Sequence, residues 1–148
     1  MDEEQIENFK QAIAQVESSG GKQLTNSSSS AAGRYQFLYR YIKNDPDLKG
    51  VSKREFNNSP KLQEKIMDKA ISGKLDGFPG YRDHSRKIMT DSNTRLRQDE
   101  VMSLIHYLGP TGTRNYLNNP ADFKVPGKTN IEVNQYLKRH FGNGGRLN

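Results

Sequence analysis

Glu17 is the side chain best suited to acid catalysis in this sequence. It stands in the run Val16-Glu17-Ser18-Ser19-Gly20-Gly21, where an amphipathic helix gives way to a polar, glycine-rich loop. A carboxylate at a helix C-terminus faces the negative end of the helix dipole, which disfavours its ionised form. Partial burial beside an apolar stripe acts in the same direction. Both effects suit a general acid, which must hold its proton near neutral pH. The ordinary alternative is a solvated glutamate in a last helical turn, the commoner fate of a carboxylate. Other chemistries find little support. His84, His106 and His140 are too far apart to form a metal-binding motif, and there is no cysteine to add to them. No Gly-x-Ser-x-Gly elbow and no phosphate-cradling Gly-x-x-x-x-Gly-Lys-Ser/Thr loop occurs.

The elements that must position Glu17 are helices. Ile6, Phe9, Ile13 and Val16 recur at steps of three and four, which predicts a helix from about Asp2 to Glu17. A loop containing Ser27-Ser28-Ser29-Ser30 leads into Gly33-Arg34-Tyr35-Gln36-Phe37, a strand-like or turn segment. A short helix is expected between Phe37 and Lys43, broken by Asn44-Asp45-Pro46-Asp47. Ser59-Pro60 marks a helix start, and Leu62, Ile66, Met67, Ala70, Ile71 and Leu75 carry that helix to about Leu75. Residues 81 to 97 have no decisive pattern. From Gln98, Val101, Leu104, Ile105 and Leu108 give a clean helical stripe, stopped by Gly109-Pro110. A second short helix follows with Tyr116 and Leu117, ending at Asn119-Pro120. Thr129 and Glu132 have capping-box spacing and predict a last helix burying Val133, Leu137 and Phe141, terminated by Gly142. The expectation is a single mainly α domain over residues 1–148, with a small β element near residues 22–37 and a mobile tail at 143–148.

Composition narrows the partners. The 148 residues carry a net charge of +6 and a hydrophobic fraction of 32 %, with a mean hydropathy of -0.96, which predicts a thin core and long polar loops. The sequence pI of about 9.5 favours polyanionic partners, nucleic acid or an acidic cell wall among them. Lys and Arg are spread from Lys10 to Arg146 rather than grouped, which weighs against a dedicated nucleic-acid stripe. No apolar stretch approaches the roughly 18 residues of a membrane span. The acidic, amphipathic start Met1-Asp2-Glu3-Glu4 does not read as a secretory signal. Synthesis in the cytoplasm is therefore expected.

Three motifs carry a family resemblance. Glu17-Ser18-Ser19-Gly20-Gly21 is similar to the opening motif of lysozyme-like lytic transglycosylases of the goose-lysozyme-like superfamily, a glutamate followed by serine and small residues at a helix end. The run Ser27 to Gln36 resembles their second motif; aligned on Gln36, Gly33 meets the motif glycine and Ser27 the motif serine. Ala32-Gly33-Arg34-Tyr35-Gln36 also resembles the endolysins of lambdoid phages. Ile105-His106-Tyr107-Leu108-Gly109-Pro110, followed by Tyr116-Leu117, looks like the third motif in the His-Tyr/Phe-Leu-Gly form of phage and secretion-associated members. The three occur in the family's order over residues 17 to 117. Two departures stand out: Ser30 replaces the expected glycine, and His106 and Tyr107 stand where tyrosine and asparagine are common.

The resemblance implies an α+β lysozyme-like fold and cleavage of the β-1,4 bond between N-acetylmuramic acid and N-acetylglucosamine in peptidoglycan. Glu17 would protonate the glycosidic oxygen, then act as base toward the muramoyl O6 hydroxyl, giving a 1,6-anhydro product without metal or organic cofactor. Ser27, Tyr35, Gln36, His106, Tyr107 and Tyr116 are the implied substrate-binding residues, with His106 or Tyr107 orienting the acid. The amide of Gln36 can donate and accept, as an N-acetyl group requires. It suits a buried staple of its own loop equally well. Tyr35, Tyr39 and Tyr116 are candidates for stacking on sugars and for the core. His106 is also suited to a packed, hydrogen-bonded role.

The implied setting is the bacterial wall or periplasm, reached during phage lysis or from a virion, with glycan strands and other virion or tail proteins as partners. A hydrolytic muramidase would use a second carboxylate; Asp45, Asp47, Glu55, Asp76, Asp83 and Asp91 are the candidates, none with a motif. A non-catalytic binding or structural module of a virion and a nucleic-acid binder using Lys138, Arg139 and His140 are the readings from other classes.

Overall fold

The computed structural model describes residues 3–18, 31–78, 80–119, 124–125, 128–129, 133 and 135–138. Ser27, Phe141 and the expected tail at 143–148 lie outside the described residues. The chain is mainly helical. It divides into two compact units, Lys10–Gly80 and Met1–Phe9 with Tyr81–Asn148, so that the first helix, α1 (Glu3–Ser18), contributes to both. That helix follows the apolar stripe: Phe9 and Ile13 are fully buried, while Glu3 and Glu4 occupy the first turn, where the dipole favours acids.

In the unit Lys10–Gly80, a two-residue antiparallel ladder joins β1 (Ala31–Ala32) to β2 (Phe37–Leu38), with Ala31 opposite Leu38 and Ala32 opposite Phe37. It coincides with the end of the expected β element. Helix α2 (Tyr39–Ile42) follows directly, and Asp45 then caps a 3₁₀ turn over Pro46–Leu48. Helix α3 (Lys53–Asn57) was not foreseen, although Ser52-Lys53-Arg54-Glu55 is a capping box: Glu55 N donates to Ser52 Oγ at 3.1 Å and Ser52 N to Glu55 Oε1 at 3.1 Å. Helix α4 (Pro60–Ser72) starts at the Ser59 cap and stops at Gly73, short of Leu75, because Gly73 takes the left-handed cap conformation. Its face of Gln63, Ile66, Met67, Ala70 and Ile71 is buried, and Phe56, Ile42 and Leu48 complete the core of this unit.

In the other unit, α5 (Tyr81–Ser92) fills the segment without a decisive pattern. It buries Tyr81, Ser85 and Ile88, a face at steps of four and three, against α6 (Gln98–Asn118). Gln98 ties the two together, its Nε2 donating to Ser85 Oγ at 2.9 Å and Arg82 O at 3.3 Å. Asp99, fully buried, accepts from Arg97 Nε at 3.2 Å, Asn8 Nδ2 at 3.3 Å and Glu100 N at 2.7 Å. The expected break at Gly109-Pro110 is a kink within α6: Gly109 adopts φ 77° and ψ 167°, a backbone state open essentially to glycine, and Pro110 has no N–H to continue the ladder.

The expected capping box of Thr129 with Glu132 falls on a stretch in which Glu132 lies outside the described residues. Thr129 itself closes β4 (Lys128–Thr129), paired antiparallel with β3 (Lys124–Val125), Lys124 opposite Thr129. The β-branched Val125 and Thr129 suit a strand, and Pro126-Gly127 between them is a turn dipeptide in the sequence. Further on, Val133 and residues 135–138 are helical, with Val133 and Leu137 buried as expected.

Candidate functional site

The turn from Gly33 to Gln36 is the most constrained backbone among the described candidate positions. Gln36 has φ +54°, left-handed for a residue with a Cβ, which costs roughly 1–2 kcal/mol. Hydrogen bonds offset it: Gln36 N donates to Gly33 O at 3.2 Å and Gln36 Nε2 to the same oxygen at 2.8 Å. Gly33 is itself left-handed, at φ +78°.

Two buried amides hold this turn from outside. Asn57 Oδ1 accepts from Gly33 N at 2.7 Å, and Gln63 Oε1 accepts from Arg34 N at 2.9 Å. The Gln63 amide also donates to Phe56 O at 2.8 Å and Asn57 O at 3.0 Å. Asn57 and Gln63 are thus satisfied in the interior, where an unpaired amide would be costly. Sequence reasoning missed both. The available signal was Gln63 standing three and four residues before Ile66 and Met67, on the core face of α4.

Tyr35 lies within the turn but is only 2 % exposed. Its ring packs edge-on against Phe37, at 6.2 Å, and Phe37 in turn meets Phe78 at 5.5 Å. Its hydroxyl donates to Glu64, whose oxygens lie at 2.5 and 3.0 Å. Tyr35 therefore packs and anchors the turn. Tyr39, another stacking candidate, donates its hydroxyl to Val51 O and packs against Phe56, with ring centroids 6.1 Å apart. Burial, followed by the charge of Glu55, raises its phenol above the usual tyrosine range.

Glu17 is in the last turn of α1 by its backbone, as expected; its side chain lies outside the described residues. His106 and Tyr107 are neighbours on α6, half-buried, in the unit that includes Tyr81–Asn148. Tyr81 Oη and His106 Nδ1 are 3.3 Å apart, and Tyr81 packs on Phe9 with ring centroids at 5.2 Å. Tyr107 stacks on Tyr136 at 4.5 Å with an interplanar angle of 15°. Tyr116, beyond the kink, is fully buried, and burial pushes its phenol up to about 12. With no exposed surface it acts as a packing residue.

Several acids weighed as a second carboxylate are engaged in local structure. Asp45 accepts from Asp47 N at 2.9 Å and pairs with Lys69 at 2.7 Å. Asp47 lies 2.5 Å from Lys69 and 3.3 Å from Lys65; the Lys69 hydrogen bond, then Lys65, holds its carboxyl below the usual range. Glu55 is lowered by the Ser52 backbone N–H that it accepts in the capping box. Asp91 pairs with Arg114 at 2.9 Å.

Among the described residues no group of three His, Cys, Asp or Glu could hold a metal ion. No helix among them is long and apolar enough to cross a membrane. Comparison with protein-family models, with curated proteins and with solved structures gives no match.

Proposed function

We propose that this chain cleaves peptidoglycan as a lytic transglycosylase with a lysozyme-like fold. The observation that carries the reading is the turn at Gln36. A left-handed, non-glycine residue in a turn whose Gly33 and Arg34 N–H groups are held by buried amides is a costly local structure, and such strain clusters at ligand clamps and active sites. This turn is also where the sequence resembles the family's second motif. The acid motif precedes it on a helix, within the same unit of residues 10–80.

In this reading Glu17 is the sole acid–base group. Protonated, it donates to the glycosidic oxygen as the anomeric carbon gains oxocarbenium character. Ionised, it then removes the proton of the muramoyl O6 hydroxyl, which closes the 1,6-anhydro ring. Gln36, whose Nε2 staples the turn through Gly33 O, presents its amide oxygen to the N–H of an N-acetyl group, while Asn57 and Gln63 hold the backbone of Gly33 and Arg34 in the same turn. The sugar-binding roles of Ser27, His106 and Tyr107 rest on the sequence motifs alone. Asp45, Asp47, Glu55 and Asp91 are taken up in caps and ion pairs, so of the acids considered a two-carboxylate mechanism would turn to Asp76 or Asp83.

The test is mass spectrometry of peptidoglycan digested by the purified protein, beside a Glu17→Gln variant. Release of 1,6-anhydromuramoyl ends by the wild type and none by Glu17→Gln is expected. Reducing ends alone would replace the transglycosylase by a hydrolase. Undiminished clearing by Glu17→Gln would remove Glu17 as the catalyst, and no clearing by either would leave a binding module.

A further inference from the structure

We propose that Glu64 is a positioning residue that couples the Gln36 turn to helix α1. The proposal rests on the functional reading above and adds a residue to it.

Glu64, on α4, collects three donors. Tyr35 Oη reaches its two oxygens at 2.5 and 3.0 Å, Arg34 Nη1 lies 3.2 Å from Oε1, and Lys10 Nζ lies 3.3 Å from Oε2. Arg34 Nη1 also donates to Tyr35 Oη at 3.1 Å, so the two turn residues meet the carboxylate as a linked pair. Lys10, on α1, pairs in addition with Asp68 at 2.7 Å, one helical turn beyond Glu64. Glu64 therefore touches both the turn and α1.

Glu64 has a side chain 37 % exposed, and an exposed ion pair of that kind contributes little. Its partners are of a different kind. Tyr35 is 2 % exposed and Lys10 is 9 % exposed. Losing Glu64 takes an acceptor from a buried phenol, which costs more than a surface pair gains, and leaves the Lys10 ammonium to its ion pair with Asp68. Burial presses Lys10 toward a lower pKa, but hydrogen bonds and charge from Asp68 and Glu64 outweigh it and leave the ammonium raised above its ordinary value. The Lys10 ammonium therefore stays charged throughout the neutral range.

The geometry gives this tie a purpose. Glu17 stands seven residues after Lys10, two turns or about 10 Å along α1. Fixing Lys10 fixes the rotation and advance of the helix that carries the acid. Fixing Arg34 and Tyr35 fixes the turn that carries Gln36. One carboxylate does both, so the backbone of α1 that leads to Glu17 and the turn that carries Gln36 are tied to one residue of this unit. Misplacement of reacting groups by about 1 Å costs on the order of 10²-fold in rate.

The test compares Glu64→Gln with Asp68→Asn. Glu64→Gln keeps an acceptor for Tyr35 but removes the charge that Arg34 and Lys10 share; Asp68→Asn weakens Lys10 without touching the turn. Amide hydrogen exchange should rise in Glu64→Gln both at residues 33–36 and over residues 14–18, and in Asp68→Asn over 14–18 only. On peptidoglycan, Glu64→Gln should lose kcat by roughly tenfold or more with KM within about twofold, and Glu64→Asp should recover part of it. Unchanged exchange at either segment in Glu64→Gln overturns the proposal, whether or not the protein is active. So does a wild-type kcat in Glu64→Gln when the wild type is active. An inactive wild-type protein would instead refute the functional reading, while exchange would still decide whether Glu64 couples the two segments.

Discussion

Replacing Gly33 with alanine adds one methyl group at a point where the fold has no room for it. The new Cβ would lie 3.0 Å from both Cδ and Cγ of Gln63 and 3.1 Å from Cε2 of Phe56. Gln63 is 4 % exposed and Phe56 fully buried, so neither can swing out to solvent. The backbone is left-handed at φ +78°, which for alanine costs roughly 1–2 kcal/mol. Moving Gln63 breaks its bonds with Arg34 N, Phe56 O and Asn57 O. At about 1 kcal/mol each these add about 3 kcal/mol. The expected loss is therefore about 4–5 kcal/mol, a large part of the stability of an ordinary domain. Gly50→Ala is the control: its φ is +76°, but nothing lies within 4 Å of the added Cβ, so only the backbone cost of roughly 1–2 kcal/mol applies. Urea denaturation followed by circular dichroism, with linear extrapolation, measures both. If Gly33→Ala loses no more than Gly50→Ala, the Gln63 latch does not hold this turn.

Other expectations follow from the same physics. Burial raises the Tyr116 phenol from 10.0 to about 12, so the unfolded chain releases that proton first as pH rises. The stabilisation is complete below pH 10 and is lost as pH rises to about 12, a total of about 3 kcal/mol. Alkaline denaturation of Tyr116→Phe should lack this component, and an identical pH slope in the variant would contradict it. Gly109→Ala should cost on the order of 1–3 kcal/mol from backbone strain alone, since nothing lies within 4 Å of its added Cβ. Thermal melting reads this directly, and an unchanged midpoint would mean the kink does not require glycine. Glu17→Gln should abolish release of anhydro ends while leaving the urea midpoint in place, which separates lost chemistry from lost folding.

Much of the helical scaffold was legible because its signals are local. The stripe through Phe9 and Ile13, the Ser59-Pro60 start and the Gly109-Pro110 break each depend on residues within a few positions of one another. Short elements with mixed signals were harder. Helix α3 is five residues long and had only its capping box to announce it. The ladder of Lys124–Val125 with Lys128–Thr129 was not foreseen, because backbone pairing is not described by a spacing rule.

The candidate site divides along the same line. Residue type and position singled out Glu17 at a helix end, and resemblance to a family motif singled out the Gly33–Gln36 segment; the left-handed backbone of Gln36 came only with the structure. Only tertiary structure decided what surrounds that turn. Asn57 and Gln63 stand 24 and 29 residues from their partners Gly33 and Arg34, and Glu64 stands 29 residues from Tyr35. No periodicity links positions so far apart; they meet because α3 and α4 bury one face against the turn. Burial likewise turned Tyr35 and Tyr116 from candidate sugar platforms into packing residues. A side chain's chemistry is written in its type, whereas its exposure and partners are set by which helices pack around it.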